Sequence, residues 1–143
     1  ILPSITRSVH VMEFVSIRII TDDVARLVAF YEQVTGAPAT WGNENFAELP
    51  TASGTLALAS TRTVPLFGPG AAASGANRSV IIEYLVDDVD AARERLRGVV
   101  EDVVTEPTTM PWGNRSFLFR DPDNNLVNLF TPVTPQARQK FGL

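Results

Sequence analysis

Phe14 to Tyr31 reads FVSIRIITDDVARLVAFY, and Val80 to Val99 reads VIIEYLVDDVDAARERLRGV. In the first stretch Val15, Ile17 and Ile19 alternate with Ser16 and Arg18, the period of a half-buried strand. Asp22 or Asp23 then supplies a helix cap, Val24, Leu27, Val28 and Tyr31 form an apolar stripe, and Gly36 ends the helix. The second stretch repeats the plan. Val80, Ile82, Tyr84 and Val86 share one strand face and Ile81, Glu83 and Leu85 the other, Asp87-Asp88-Val89 opens a helix, and Gly98 closes it. The Asp-Asp-Val triplet recurs at an offset of 65 residues, which maps Ser16 onto Ile81 and Arg18 onto Glu83.

Each strand–helix unit is followed by short strand patterns separated by Gly, Asn and Pro. They are Ala39–Trp41, Phe46–Leu49 and Thr55–Ser60 in the first half, and Val99–Thr105, Arg115–Phe119 and Leu126–Thr131 in the second. The predicted order is therefore βαβββ twice, an α+β domain over residues 12–132 with modules at about 14–60 and 80–131. Residues 61–79, rich in Gly, Ala, Ser and Pro, read as a connecting loop. The connector is either a flexible link or a lid whose apolar tip is Leu66 and Phe67. Residues 1–11, which include His10, read as a leader, either a longer native start or a remnant added ahead of Met12. Residues 133–143 form a tail with one or two helical turns.

Composition narrows the function. The 143 residues are 45% hydrophobic and 20% charged, ordinary values for a globular domain. A net charge of −4 gives no basic footprint for phosphate contacts, so no nucleic-acid partner is expected. The absence of cysteine removes disulfides and thiolate chemistry and fits a cytoplasmic protein. No apolar run approaches the length of a membrane span, and the first residues do not resemble a secretion signal.

Pro111-Trp112-Gly113-Asn114-Arg115, leading into Phe119-Arg120-Asp121-Pro122-Asp123-Asn124-Asn125-Leu126-Val127-Asn128-Leu129-Phe130, together with the two modules, resembles the vicinal oxygen chelate superfamily. That superfamily includes glyoxalases, extradiol dioxygenases, fosfomycin-resistance enzymes and bleomycin-resistance proteins. The resemblance implies a cupped mixed sheet and, in catalytic members, a divalent ion held by His, Glu or Gln. It places the ligand positions at Ser16, at Ile81, at Asn128 and within Thr55–Ala59. Hard and borderline cations need several charged or imidazole ligands. Ser16 and Asn128 are weak neutral donors and Ile81 is none, so neither a metal nor any other cofactor is expected. The resemblance is closest to the metal-free bleomycin-resistance type.

Alternation turns Phe14, Ser16, Arg18 and Ile20, then Ile81, Glu83 and Leu85, then Leu126, Asn128 and Phe130, into the cup. Arg18 and Glu83 are expected to face one another, either as a charge-satisfying pair or with Glu83 orienting Arg18 toward an anionic or carbonyl ligand. Trp41, Phe46, Phe67 and Trp112 are expected at the mouth, where flat rings suit planar ligands. The expected binding set is thus Ser16, Arg18, Trp41, Phe46, Glu83, Trp112, Asn128 and Phe130, with Glu83 and Glu48 as candidate acid–base groups. Three functions compete. The first is a small-molecule binder serving sequestration or resistance, and the second is a lyase, isomerase or dioxygenase with a non-standard site. The third is an interaction module without a ligand. The resemblance also implies a homodimer with pockets near the subunit interface.

Overall fold

The computed structural model describes residues 11–143, and His10 lies outside them. Eight strands and four α-helices follow in the order β1 (Ser16–Thr21), α1 (Val24–Thr35), β2 (Thr40–Asn43), β3 (Phe46–Pro50), β4 (Thr55–Ser60), α2 (Val64–Phe67), β5 (Ile81–Leu85), α3 (Val89–Arg95), β6 (Asp102–Thr109), β7 (Asn114–Arg120), β8 (Leu126–Pro132) and α4 (Pro135–Lys140). This is the expected α+β order of two βαβββ units. Both helix starts come from the repeated triplet. Asp23 accepts from the Arg26 amide and Asp88 from the Ala91 amide, each satisfying one orphan donor of the first turn. Gly36 ends α1 in the left-handed conformation, which a residue without Cβ adopts freely.

The strands form two four-stranded sheets rather than one continuous sheet, in the orders β1-β4-β3-β2 and β5-β8-β7-β6. In each sheet the pairing of the edge strand that opens the module, β1 with β4 and β5 with β8, is parallel and the rest are antiparallel. The pseudo-symmetry is exact in register. Arg18 pairs with Ala57 as Glu83 pairs with Asn128.

Helix α1 bridges the two sheets. Val24, Leu27 and Val28 bury with Leu56 and Leu58 of its own sheet, while Phe30 stands 6.1 Å from Phe119 of the other. One core results, built from α1, α3 and the helix-bearing faces of both sheets. Burying each large apolar side chain there contributes about 1.5–3 kcal/mol. Arg95 of α3 adds polar ties by donating to the carbonyls of Gln33 and Val34. The other faces of the two sheets turn away from this core.

Strands β3, β7 and β8 extend one residue past the predicted limits, and three segments depart further. The second strand begins at Thr40 and runs to Asn43, one and two residues beyond the predicted limits. Strand β6 occupies Asp102–Thr109 and passes through Pro107, which an edge strand tolerates because one side of its backbone needs no partner. The connector is not all loop. Thr61–Thr63 form a 3-10 turn and Val64–Phe67 a helical turn that folds Val64 into the interior. The tail mirrors it, with α4 laying Phe141 5.4 Å from Phe130.

Candidate functional site

The outward face of the first sheet carries Arg18, Ala57, Glu48 and Thr40 in one register row. Phe46 stands in the next row with Ala59 and Ile20, and Ser16 in the preceding row with Thr55. Phe46 and Phe67 flank the Arg18 guanidinium, whose carbon lies 4.6 Å from the first ring centroid and 5.3 Å from the second. Each ring presents its negative face to the cation. Among the described residues, no hydrogen bond or ion pair holds the Arg18 guanidinium.

The corresponding face of the second sheet carries Glu83, Asn128 and Leu118 in one row and Leu85, Phe130 and Ser116 in the next. Asn128 Nδ2 donates to Glu83 Oε2 at 2.9 Å, which fixes the amide orientation and leaves Asn128 Oδ1 buried without a partner. Such an acceptor costs free energy until a donor reaches it.

The expected pairing of Arg18 with Glu83 does not occur. The two residues stand on different sheets, on faces that turn away from the shared core, and no ion pair joins them. Arg18 keeps company with aromatic rings and Glu83 with an amide. Within one chain β1 and β5 lie in separate sheets whose helix-bearing faces pack together, so their outward faces do not close on one another. Trp41 registers with Ala47, a core residue on the helix-bearing side, and so stands off the face that carries Arg18. Trp112 is 67% exposed in the β6–β7 turn. Phe130 is buried against Phe141. Glu48 shares the row of Arg18 with buried Ala57 between them. The residues missed at the sequence level lie in the connector. Asn77 and Ala72 to Ala76 pass beside β1, where a run of small residues gave no periodic signal.

Beneath both faces, the Asp121–Asn125 turn is pinned from inside. Asp121 accepts from Tyr31 Oη at 2.6 Å, from the amides of Asp123 and Asn125, and from Asn125 Nδ2. Burial and the neighbouring Asp121 charge push the Tyr31 phenol well above its ordinary value. Asn124 takes a φ of 68°, the left-handed conformation expected of it in this turn.

Two four-stranded mixed sheets of βαβββ units, joined through a helical core with outward faces of mixed polarity, define a class of small α+β domains. The Glyoxalase/Bleomycin resistance protein/Dioxygenase superfamily model matches residues 7–129, and the chain belongs to that superfamily. A glyoxalase/bleomycin resistance protein/dioxygenase from Nocardioides is 22% identical, with 90% of this chain and 88% of that one covered at a TM-score of 0.71. One from Burkholderia phytofirmans is 18% identical, with 82% and 97% covered at 0.72. A glyoxalase-related enzyme from Fulvimarina pelagi is 16% identical, with 85% and 88% covered at 0.72. At these identities the likeness is one of fold. No curated protein matches the chain.

The family implies a divalent cation, and the register tests whether these residues suit it. Since Glu83 opposes Asn128 and Arg18 is its counterpart, the fourth position is Ala57. On the placement that the resemblance implies, the four positions hold Ser16, Ala57, Ile81 and Asn128: one hydroxyl, one amide and two hydrocarbons. Among the described residues, no three His, Cys, Asp or Glu side chains gather. This donor set does not fit a hard or borderline cation. Nor does any helix of the described residues have the length and apolarity to cross a membrane.

Proposed function

We propose that the chain is a metal-independent small-molecule-binding protein of the glyoxalase/bleomycin-resistance type, with a sequestration or resistance role. The observation that carries this reading is the donor set Ser16, Ala57, Ile81 and Asn128, where hydrocarbons and neutral dipoles stand in place of charged ligands. The outward faces keep what a binding site needs: aromatic walls at Phe46 and Phe67, a cation at Arg18, and acceptors at Glu83 and Asn128. The ligand class is an aromatic or partly anionic small molecule. The net charge of −4 and the missing basic patch support a protein that engages neither nucleic acid nor membranes, in keeping with a cytoplasmic setting.

A homodimer completes the site on this reading. Ile81, Leu85 and Val80 stand exposed on and beside an edge strand, and Phe14 and Val15 precede the other. A second copy seated on these edges would bury that apolar surface.

One observation favours an enzymatic alternative. Glu83 is held by Asn128 at 2.9 Å, as an acid–base group of a lyase or isomerase needs. A fragment screen by thermal shift in excess chelator tests the main reading. Stabilisation by aromatic acids and neutral aromatics that persists with chelator supports it. Binding only after added Mn²⁺, Ni²⁺ or Zn²⁺ contradicts it, no binding at all favours an interaction module, and turnover abolished by Glu83→Gln favours the enzyme.

A further inference from the structure

Between β1 and the connector lies a groove of about 150 Å³, lined by Arg18, Ile20, Ala73, Ala76, Asn77 and Asn125 among others. Its walls combine Ile20 and small alanines with three polar side chains, Arg18, Asn77 and Asn125. Two of the polar lining groups are already satisfied. Asn77 Nδ2 donates to the Val80 carbonyl and to Asn125 Oδ1, and Asn77 Oδ1 accepts from the amides of Ser79 and Val80. Asn125 Nδ2 donates to Asp121. Arg18 is the exception, since its donors meet no acceptor among the described residues while Phe46 and Phe67 hold the cation in place. No Asp or Glu lines the groove.

We propose that this groove, closed on one side by the strap Ala72–Asn77, is a binding site for a small planar monocarboxylate whose apolar body rests on Ile20, Ala73 and Ala76 and whose carboxylate takes the Arg18 fork. The charge arithmetic favours a monoanion. One guanidinium matches the two oxygens of one carboxylate, while a phosphate dianion brings a second charge that no lining cation meets. Flanking rings keep the guanidinium from the mobility of a free surface arginine, which lowers the entropy lost on binding. The site rests on the small-molecule-binding reading but lies on the edge of β1, apart from the Glu83–Asn128 face.

Isothermal titration of the full-length protein with benzoate, benzamide and phenyl phosphate in chelator tests it. Benzoate is expected to bind at least tenfold more tightly than neutral benzamide and than phenyl phosphate. Arg18→Gln should bring benzoate down to the benzamide level, and Ala76→Leu, at an exposed strap position, should weaken both ligands at least fivefold with an unchanged circular dichroism spectrum. Equal affinity for benzoate and benzamide, tighter binding of phenyl phosphate, or benzoate binding unaffected by either substitution overturns the proposal. Should neutral fragments bind in the thermal screen while benzoate does not, this groove fails and the broader reading stands. Should neither bind, both fail.

Discussion

Tyr31 of α1 and Asp121 at the end of β7 meet through a 2.6 Å hydrogen bond in which the phenol donates to the carboxylate. The bond ties the first module's helix to the second module's turn, so it measures the packing of one unit on the other. Tyr31→Phe removes the donor and leaves a buried carboxylate oxygen short of one partner. The expected loss is about 1–3 kcal/mol in urea unfolding. A loss below about 0.5 kcal/mol would show that the junction relies on apolar contacts such as Phe30–Phe119 alone.

Both tyrosines titrate late. Tyr31 is raised by burial and by Asp121, and burial raises Tyr84 to about 12. A folded pKa above the unfolded value contributes stability that is complete below pH 10 and is lost as pH rises toward the folded value. Absorbance at the phenolate band should therefore stay flat through pH 10–11 and then rise together with loss of the circular dichroism signal. Half-ionisation of one tyrosine near pH 10 in the folded protein would contradict the burial of these two rings.

Gly113 adopts a φ of 95°, and a Cβ built there comes within van der Waals conflict of the Thr134 side chain that caps α4. Gly113→Ala combines left-handed strain with displacement of that cap. The expected cost is more than about 2 kcal/mol in chemical denaturation. A variant within 0.5 kcal/mol of the parent would mean that the Pro111–Asn114 turn is free to reshape.

Arg18 has no buried acidic partner, so its removal orphans no charge. Arg18→Met should cost less than about 1 kcal/mol by urea unfolding, since only cation–π contacts with Phe46 and Phe67 are lost. A cost of about 3–5 kcal/mol is the signature of a broken buried ion pair and would restore the Arg18–Glu83 pairing.

The proposed dimer predicts a mass of twice 15.6 kDa by light scattering at micromolar concentration. Leu85→Glu, at an exposed position of edge strand β5, should shift the mass toward the monomer. A parent protein that is already monomeric at this concentration would contradict shared sites.

What was legible in the chain is what local chemistry determines. Asp23 and Asp88 cap their helices in the structure as the repeated triplet suggests, and alternation puts Arg18 and Glu83 on the faces opposite the core. Asn124 takes its positive φ because its place in the turn demands it. Long-range relations were not legible. Nothing in the period of β1 or β5 says whether two sheets meet edge to edge or through their helices, and the Arg18–Glu83 pairing depended on that choice. Pro107 hid the second half of β6, since a proline is acceptable there only because β6 is an edge. The turn Val64–Phe67 is too short to show a helical stripe, and its position follows from Val64 packing inside and Phe67 meeting Arg18.

On the proposed reading, Ser16, Ala57, Ile81 and Asn128 hold no divalent ion. Elemental analysis of protein purified without chelator tests it most directly. Zn, Fe, Mn and Ni are each expected far below one ion per chain, while about one ion per chain of any of them would contradict the metal-independent reading.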